Sequence, residues 1–290
     1  MSIVDKTENK KSLLSVIVGA ILYSSAILFT RMTHNMNPMS IAFYRSFFAL
    51  FIFLFISLMK RNVLSVDKYK KYIFHLMGLG IFVGITVGLY IYSIQNTTAA
   101  NASLLVNLSP IYIALLAPIL LNEKRPKNTY VSLGMVLLGV LLITDINNLQ
   151  FSLSSLDGLI AGFFSGITFS FTHLISRSLK GKVTGFLQTL WGTAIAGLIL
   201  FPFAIKIPVE VVKYNLPVLI PLGIFSLGLP SFLYYKALQV LKAQVVSIVA
   251  LLEPVSGVLI GVFLFDEVPS IFGIIGIVLV LSGIYLISKE

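Results

Sequence analysis

Apolar runs of about the length that spans a bilayer recur along the whole chain, separated by charges, Pro and Asn. A helix rising 1.5 Å per residue needs ~20 residues to cross a hydrocarbon core of ~30 Å. The pattern predicts ten such helices, over 12–30, 38–59, 72–95, 100–121, 128–144, 157–176, 184–204, 215–238, 243–265 and 269–288. The breaks after Gln95 and Leu238 are short, so the helices flanking them must form tight antiparallel hairpins. The chain therefore reads as an all-α integral membrane protein. Lys10-Lys11 followed by an apolar run imitates a secretory signal. The run from Leu13 to Thr30 exceeds the usual ~7–15 residues of a signal core, and more spans follow, so it reads as the first membrane helix.

Composition agrees. Hydrophobic residues make up 57% and charged residues 11% of the 290, with a mean hydropathy of +0.97. Soluble domains average roughly 45–50% apolar and about 25% charged residues, so soluble enzyme folds are excluded. There is no cysteine, which removes disulfides, thiol catalysis and Cys-ligated zinc. The three His, at 34, 75 and 173, lack metal-ligand spacing. No G-x-S-x-G, H-E-x-x-H or Walker motif is present, so no metal site, cofactor or ATP-driven transport by this chain alone is expected.

The net charge of +10 would suit nucleic acid, but the bases lie in short loops beside spans, where they report topology. An even number of spans puts both termini on one side. With that side cytoplasmic, seventeen of the 21 Lys and Arg lie inside, among them Lys10, Arg61, Lys124 and Lys182. Only Arg31, Lys206 and Lys213 lie outside, and Arg45 falls within a span. The excess of inner bases predicts a multi-pass protein of the cytoplasmic membrane with both termini cytoplasmic.

The chain also repeats itself. At a constant offset of 144, Gly84 matches Gly228, Leu89-Tyr90 matches Leu233-Tyr234, Gln95 matches Gln239 and Ser103 matches Ser247. Pro110 then matches Pro254, Glu123 matches Glu267 and Gly139 matches Gly283. Each half, 1–146 and 147–290, holds five helices. Five is odd, so the second half is inserted upside down. Inverted repeats mark secondary transporters, with the solute site near the midplane at the repeat interface.

The segments Tyr234-Tyr235-Lys236-Ala237-Leu238, Glu253-Pro254, Leu264-Phe265-Asp266-Glu267 and Gly283-Ile284-Tyr285-Leu286 resemble the repeat of the EamA family, within the drug/metabolite transporter superfamily. The first half echoes it with Ser109-Pro110, Leu121-Asn122-Glu123-Lys124 and Gly134 to Gly139. Arg45 in Tyr44-Arg45-Ser46 resembles an arginine common early in the family's second helix. Asn122-Glu123-Lys124 departs from the usual Gly-Glu of the first repeat. The resemblance implies ten helices in two repeats and export or exchange of small metabolites such as amino acids.

Glu253 is the leading candidate for chemistry. It lies about 10 residues into the ninth span, roughly 15 Å deep. An acid at that depth persists only when paired, protonated or facing a polar cavity, and marks a functional site by default. Pro254 beside it removes a backbone donor and loosens the helix, and Pro110 does so in the equivalent helix. Arg45, within about 5 Å of the same level, offers a planar fork suited to a carboxylate; the alternative is snorkelling to the outer headgroups. The pair would suit a zwitterion such as an amino acid.

Asn107 either contacts solute or bonds across helices. Trp191 either lines the cavity or packs. His173 either relays protons or holds an interhelical hydrogen bond. Tyr90, Tyr92, Tyr234 and Tyr235 lie nearer helix ends and read as an interfacial belt, with gating second. Lys236 is expected to snorkel. Gly80, Gly84 and Gly88, Gly162 with Gly166, and Gly257 with Gly261 read as close helix packing. Glu123-Lys124 and Asp266-Glu267 read as caps or loop contacts.

The expected function is a secondary transporter moving a small metabolite by alternating access, as a proton-coupled exporter. An uncoupled facilitator or exchanger stays open beside it. A membrane-embedded enzyme lacks catalytic motifs, and a channel would show a ring of repeated polar residues. The expected partners are a small solute and the bilayer, not nucleic acid; a homodimer is compatible with the pattern but not required by it.

Overall fold

The computed structural model describes residues 3–59, 66–144, 155–265 and 269–289. Those residues form a helical bundle. Its helices are α1 (Ile3–Arg31), α2 (Pro38–Met59), α3 (Ile73–Asn96), α4 (Ala99–Val106), α5 (Ser109–Leu120), α6 (Thr129–Ile143) and α7 (Leu156–Ser178). They continue as α8 (Gly185–Ala204), α9 (Val209–Gly223), α10 (Leu229–Ala237), α11 (Ala243–Ala250), α12 (Leu252–Phe265) and α13 (Ile271–Ser288). Nine stretches are long and apolar enough to cross a membrane, and the tenth, α6, is a shorter apolar helix of 15 residues, about 22 Å.

Three predicted spans are interrupted. The fourth is α4 and α5, and the ninth is α11 and α12, because Pro110 and Pro254 lack the N–H that would bind the carbonyl four residues back. The first segment of each ends at Asn107 (φ −75°, ψ 2°) and at Leu251 (φ −67°, ψ 5°), 144 positions apart. Each begins at an extended residue, Thr98 (φ −72°, ψ 151°) and Lys242 (φ −65°, ψ 150°), again 144 apart. The backbone thus repeats with the sequence. The eighth span begins at Val209 rather than at 215, because Pro208 starts the helix below the charged Glu210 and Lys213. It joins α9 to α10 through a π-helical turn at Ile224–Gly228.

Packing follows the same exchange of halves. α3 lies against α7 and α8, as α10 lies against α1 and α9 against α2. α4 and α5 lie against α7, as α11 and α12 lie against α1. α2 packs on α8 and α6 on α13, each pair mapping onto itself. Five segments per half make the halves antiparallel.

Lipid tails are as apolar as Leu, so helices associate where small residues let them approach. Gly80 and Gly84 admit Ile195 and Ala196 of α8, while Gly162 and Gly166 admit Leu105. Gly139 and Gly276 face each other across α6 and α13, where a Cβ on either would stand 2.6 Å from the other's carbonyl oxygen. Gly257 corrects the packing expectation: nothing lies within 4 Å of the Cβ it would carry.

Gly139→Leu should lower the thermal unfolding midpoint of the detergent-purified protein, with a cost of about 1–3 kcal/mol from overpacking. Gly134→Ala, at a position with no atom within 4 Å, should leave the midpoint unchanged. Equal midpoints for the two variants would contradict the close contact of α6 and α13.

Candidate functional site

Glu253 stands in the first turn of α12, just past the break at Leu251, and faces two cavities. The larger, about 610 Å³, is bordered by Arg31 and Met32 at the end of α1, Thr144 after α6, and Pro254 and Gly257 of α12. The smaller, about 50 Å³, lies in the bundle interior and is lined by Arg45, Tyr23, Thr86, Tyr90, Ser231 and Tyr235 together with Glu253. Glu253 therefore sits where the end of the bundle that carries Arg31 meets its centre.

Arg45 is 2% exposed, so it does not reach the headgroups. Its Nε donates to Ser226 Oγ at 3.1 Å, and its Nη2 donates to the Ser226 carbonyl. That carbonyl lacks its ordinary helical donor, because the residue four ahead is Pro230, which has no N–H. Pro230 and the π-helical turn thus present a backbone acceptor inside a membrane helix, where π-bulges often serve function. Ser226 Oγ donates in turn to Leu222 O at 2.5 Å. Tyr90 lies 6.0 Å from the guanidinium, ring centroid to Cζ. Nη1 takes no protein acceptor among the described residues, so one edge of the fork is fixed and the other is available.

Arg45 and Glu253 share the small cavity yet do not form the ion pair seen between Arg177 and Glu123. Glu253 takes no protein hydrogen bond among the described residues. An acidic and a basic side chain thus line one space without forming an ion pair. Tyr23 OH and Ser231 Oγ are 2.7 Å apart, and Thr86 Oγ1 donates to Thr168 Oγ1 at 2.8 Å. Tyr90 OH has no partner.

The other candidates are placed differently. Asn107 is buried and ends α4, with its amide donating to Ser103 Oγ at 3.3 Å in its own helix; it neither bonds across helices nor lines either cavity around Glu253. Trp191 packs on the cluster of Phe53, Leu76, Leu179 and Leu187, away from the cavity. His173 is 1% exposed and bonds Phe169 O of its own helix through Nδ1 at 3.1 Å, not a neighbouring helix. Pro254 borders the larger cavity, whereas Pro110 is buried without lining either. Tyr90, Tyr234 and Tyr235 are buried to 6% exposure or less, so the belt expectation is corrected. Lys236 is exposed at the lysine-rich end. Asp266 and Glu267 lie outside the described residues.

Tyr23, Thr86, Ser226, Ser231 and Pro230 escaped the sequence reasoning. One signal was present for Ser226, since a proline four residues ahead leaves its carbonyl without the helical donor. Another was the match of Leu89-Tyr90 with Leu233-Tyr234, because equivalent tyrosines in two inverted halves point to the shared interior.

A bundle of two matching antiparallel halves, with opposite charges lining an interior cavity, defines a multi-pass membrane transporter of a small solute. The chain belongs to the EamA-like transporter family, whose sequence profile matches residues 10–145 and 156–289. It is similar to an uncharacterized transporter of Archaeoglobus fulgidus, 27% identical over 95% of this chain and 96% of that one. It is also similar to an uncharacterized inner membrane transporter of Salmonella typhimurium, 28% identical over 97% and 96%. The mouse solute carrier family 35 member G1 is 24% identical over 88% of this chain and 72% of its own. A solved crystal structure shares the fold with a TM-score of 0.77 at 18% identity, covering 97% of this chain and 98% of that one. The sequence relatives carry the names of transporters or of a solute carrier.

Arg45→Lys should lower the unfolding midpoint, with a cost of about 1–3 kcal/mol, because a point charge cannot reproduce both bonds to Ser226. Ser226→Ala should cost less, since the carbonyl bond remains. Full stability of Arg45→Lys would contradict the anchoring role of Ser226.

Proposed function

We propose that the chain is a secondary carrier for a small metabolite with a carboxylate, such as an amino acid, working by alternating access. Arg45 holds the solute's carboxylate through the free edge of its guanidinium. Glu253 accepts either the solute's amine or a proton. One observation carries this reading: Arg45 and Glu253 line the same small cavity unpaired, and Glu253 also borders the larger cavity that reaches Arg31. A carboxyl group's proton affinity follows its hydration. Glu253 changes surroundings when one mouth closes and the other opens, which couples a proton to the solute.

The two repeats, 1–146 and 147–290, are the bodies that rock about this site. The lysine-rich end faces the cytoplasm, as the distribution of bases requires, and the larger cavity then faces outward. Export is the direction that the family resemblance favours.

Purified protein in liposomes, given an imposed pH gradient and a mixture of radiolabelled L-amino acids, tests the proposal. Glu253→Gln should abolish gradient-driven accumulation and keep exchange. Arg45→Ala should weaken apparent affinity by roughly tenfold or more, as loss of a charge-assisted contact does. Full gradient-driven accumulation by Glu253→Gln would remove Glu253 from coupling, whereas no gradient-driven accumulation by the native protein would favour an uncoupled facilitator.

A further inference from the structure

At the lysine-rich end an ion pair joins both halves. Arg177, in the last turn of α7, donates from Nε to Glu123 Oε1 at 2.5 Å and from Nη1 to Leu238 O at 2.7 Å. Glu123 Oε2 accepts the backbone N–H of Ala243 at 3.3 Å, at the start of α11. One carboxylate and one guanidinium therefore tie the loop after α5, the end of α7, the end of α10 and the start of α11. The pair is largely buried, with side-chain exposures of 8% and 14%. Asn122 turns the chain into place with φ 52°, a left-handed conformation that Gly and Asn adopt most readily. That accounts for an Asn where the family resemblance expects Gly.

Behind this pair lie polar groups that the site around Glu253 does not use. One turn back along α7, His173 has an unpartnered Nε2. Its ring lies 5.7 Å from that of Tyr234, whose hydroxyl is also unpartnered. Gln244, next to Ala243, is 0% exposed, and neither atom of its amide has a partner. Tyr234 continues the row inward, with its ring 5.1 Å from that of Tyr23, which lines the small cavity. Buried polar groups are nearly always bonded, so four orphan atoms on three helices require an explanation.

Two basins flank the 238–242 hairpin on the outside. One, of about 930 Å³, is lined by Lys11, Lys182 and Lys236; the other, of about 370 Å³, by Lys10 and Lys242. Neither is lined by Arg177, Glu123, His173 or Gln244. At the opposite end the 610 Å³ cavity runs from Arg31 to Glu253. One end of the bundle is open to its centre, and the other is shut behind the ion pair.

We propose that Arg177–Glu123 is the latch of the gate at the lysine-rich end, and that His173, Tyr234 and Gln244 line the half-pathway behind it. The orphan atoms gain water when the latch opens, so they favour opening and oppose the ion pair that holds the gate shut. The proposal rests on the alternating-access reading. It adds which residues the solute or its water passes on the closed side.

Because the native chain has no cysteine, a single introduced thiol reports alone. In liposomes, Gln244→Cys should react slowly with an impermeant methanethiosulfonate applied from the lysine-rich side. Adding Glu123→Gln should speed that reaction by roughly tenfold or more, as expected for loss of a charge-assisted bond. Gly257→Cys, labelled from the opposite side, should slow in proportion to the share of the outward-open population that the latch variant loses, and also reports that the protein is folded. Arg177→Met serves as a second latch variant if Glu123→Gln does not fold. An unchanged Gln244→Cys rate in a latch variant whose Gly257→Cys still reacts would overturn the proposal. If Gln244→Cys speeds up to the rate of a fully exposed thiol while Gly257→Cys does not slow, the latch stands but the two mouths are not exclusive, which overturns alternating access instead.

Discussion

In hydrocarbon a backbone carbonyl has no water to turn to, so a helix that crosses a membrane must satisfy its own hydrogen bonds. Three prolines relax that constraint at chosen points. Pro110 and Pro254 interrupt equivalent helices, and Pro230 leaves the Ser226 carbonyl without its helical donor. Arg45 takes that carbonyl, which lets a guanidinium remain inside the bundle with one edge still free. The Ser226 hydroxyl holds the Nε edge of the same guanidinium, so one residue anchors the cation through two acceptors.

The fold is repeated, but the chemistry is not. The breaks, the starts of the broken helices and the packing partners all recur at an offset of 144. At the same offset Glu253 corresponds to Ser109, and Leu251 to Asn107. Identical positions build the scaffold twice, and the carboxylate appears once. In the alternating-access mechanism proposed above, an asymmetric site at the junction of two similar halves would let a solute be held while the halves exchange their roles. The polar tyrosines and hydroxyls around Arg45 then fill the midplane with donors and acceptors that lipid could never satisfy.

Much of this was legible in the residues. Span number followed from apolar run length, the repeat from the spacing of Pro, Gln and Tyr, and the candidacy of Glu253 from the expense of an acid at bilayer depth. Facing direction was the missing quantity. In a membrane helix the outward face is as apolar as the inward one, so periodicity does not separate Tyr90 and Tyr234 in the interior from an interfacial belt. For the same reason depth alone left Trp191 between lining the cavity and packing, and it packs beside Phe53 and Leu187. Asn107 stayed between solute contact and a bond across helices because its polarity was visible and the helix end it occupies was not. Glu123 was correctly placed at a junction, but its partner Arg177, 54 positions away, depends on tertiary structure.

The central claim is that one site is reached from two mouths that do not open together. Spin-label pairs on the cysteine-free chain measure this directly by pulsed electron–electron resonance. One pair, at positions 32 and 144, spans the cavity at the Arg31 end; another, at positions 181 and 241, spans the lysine-rich end. Distances recorded in nanodiscs at several pH values should change in opposite senses, with the first pair closing as the second opens. Two pairs that widen together, or that stay fixed under every condition in a protein that transports, would contradict the account.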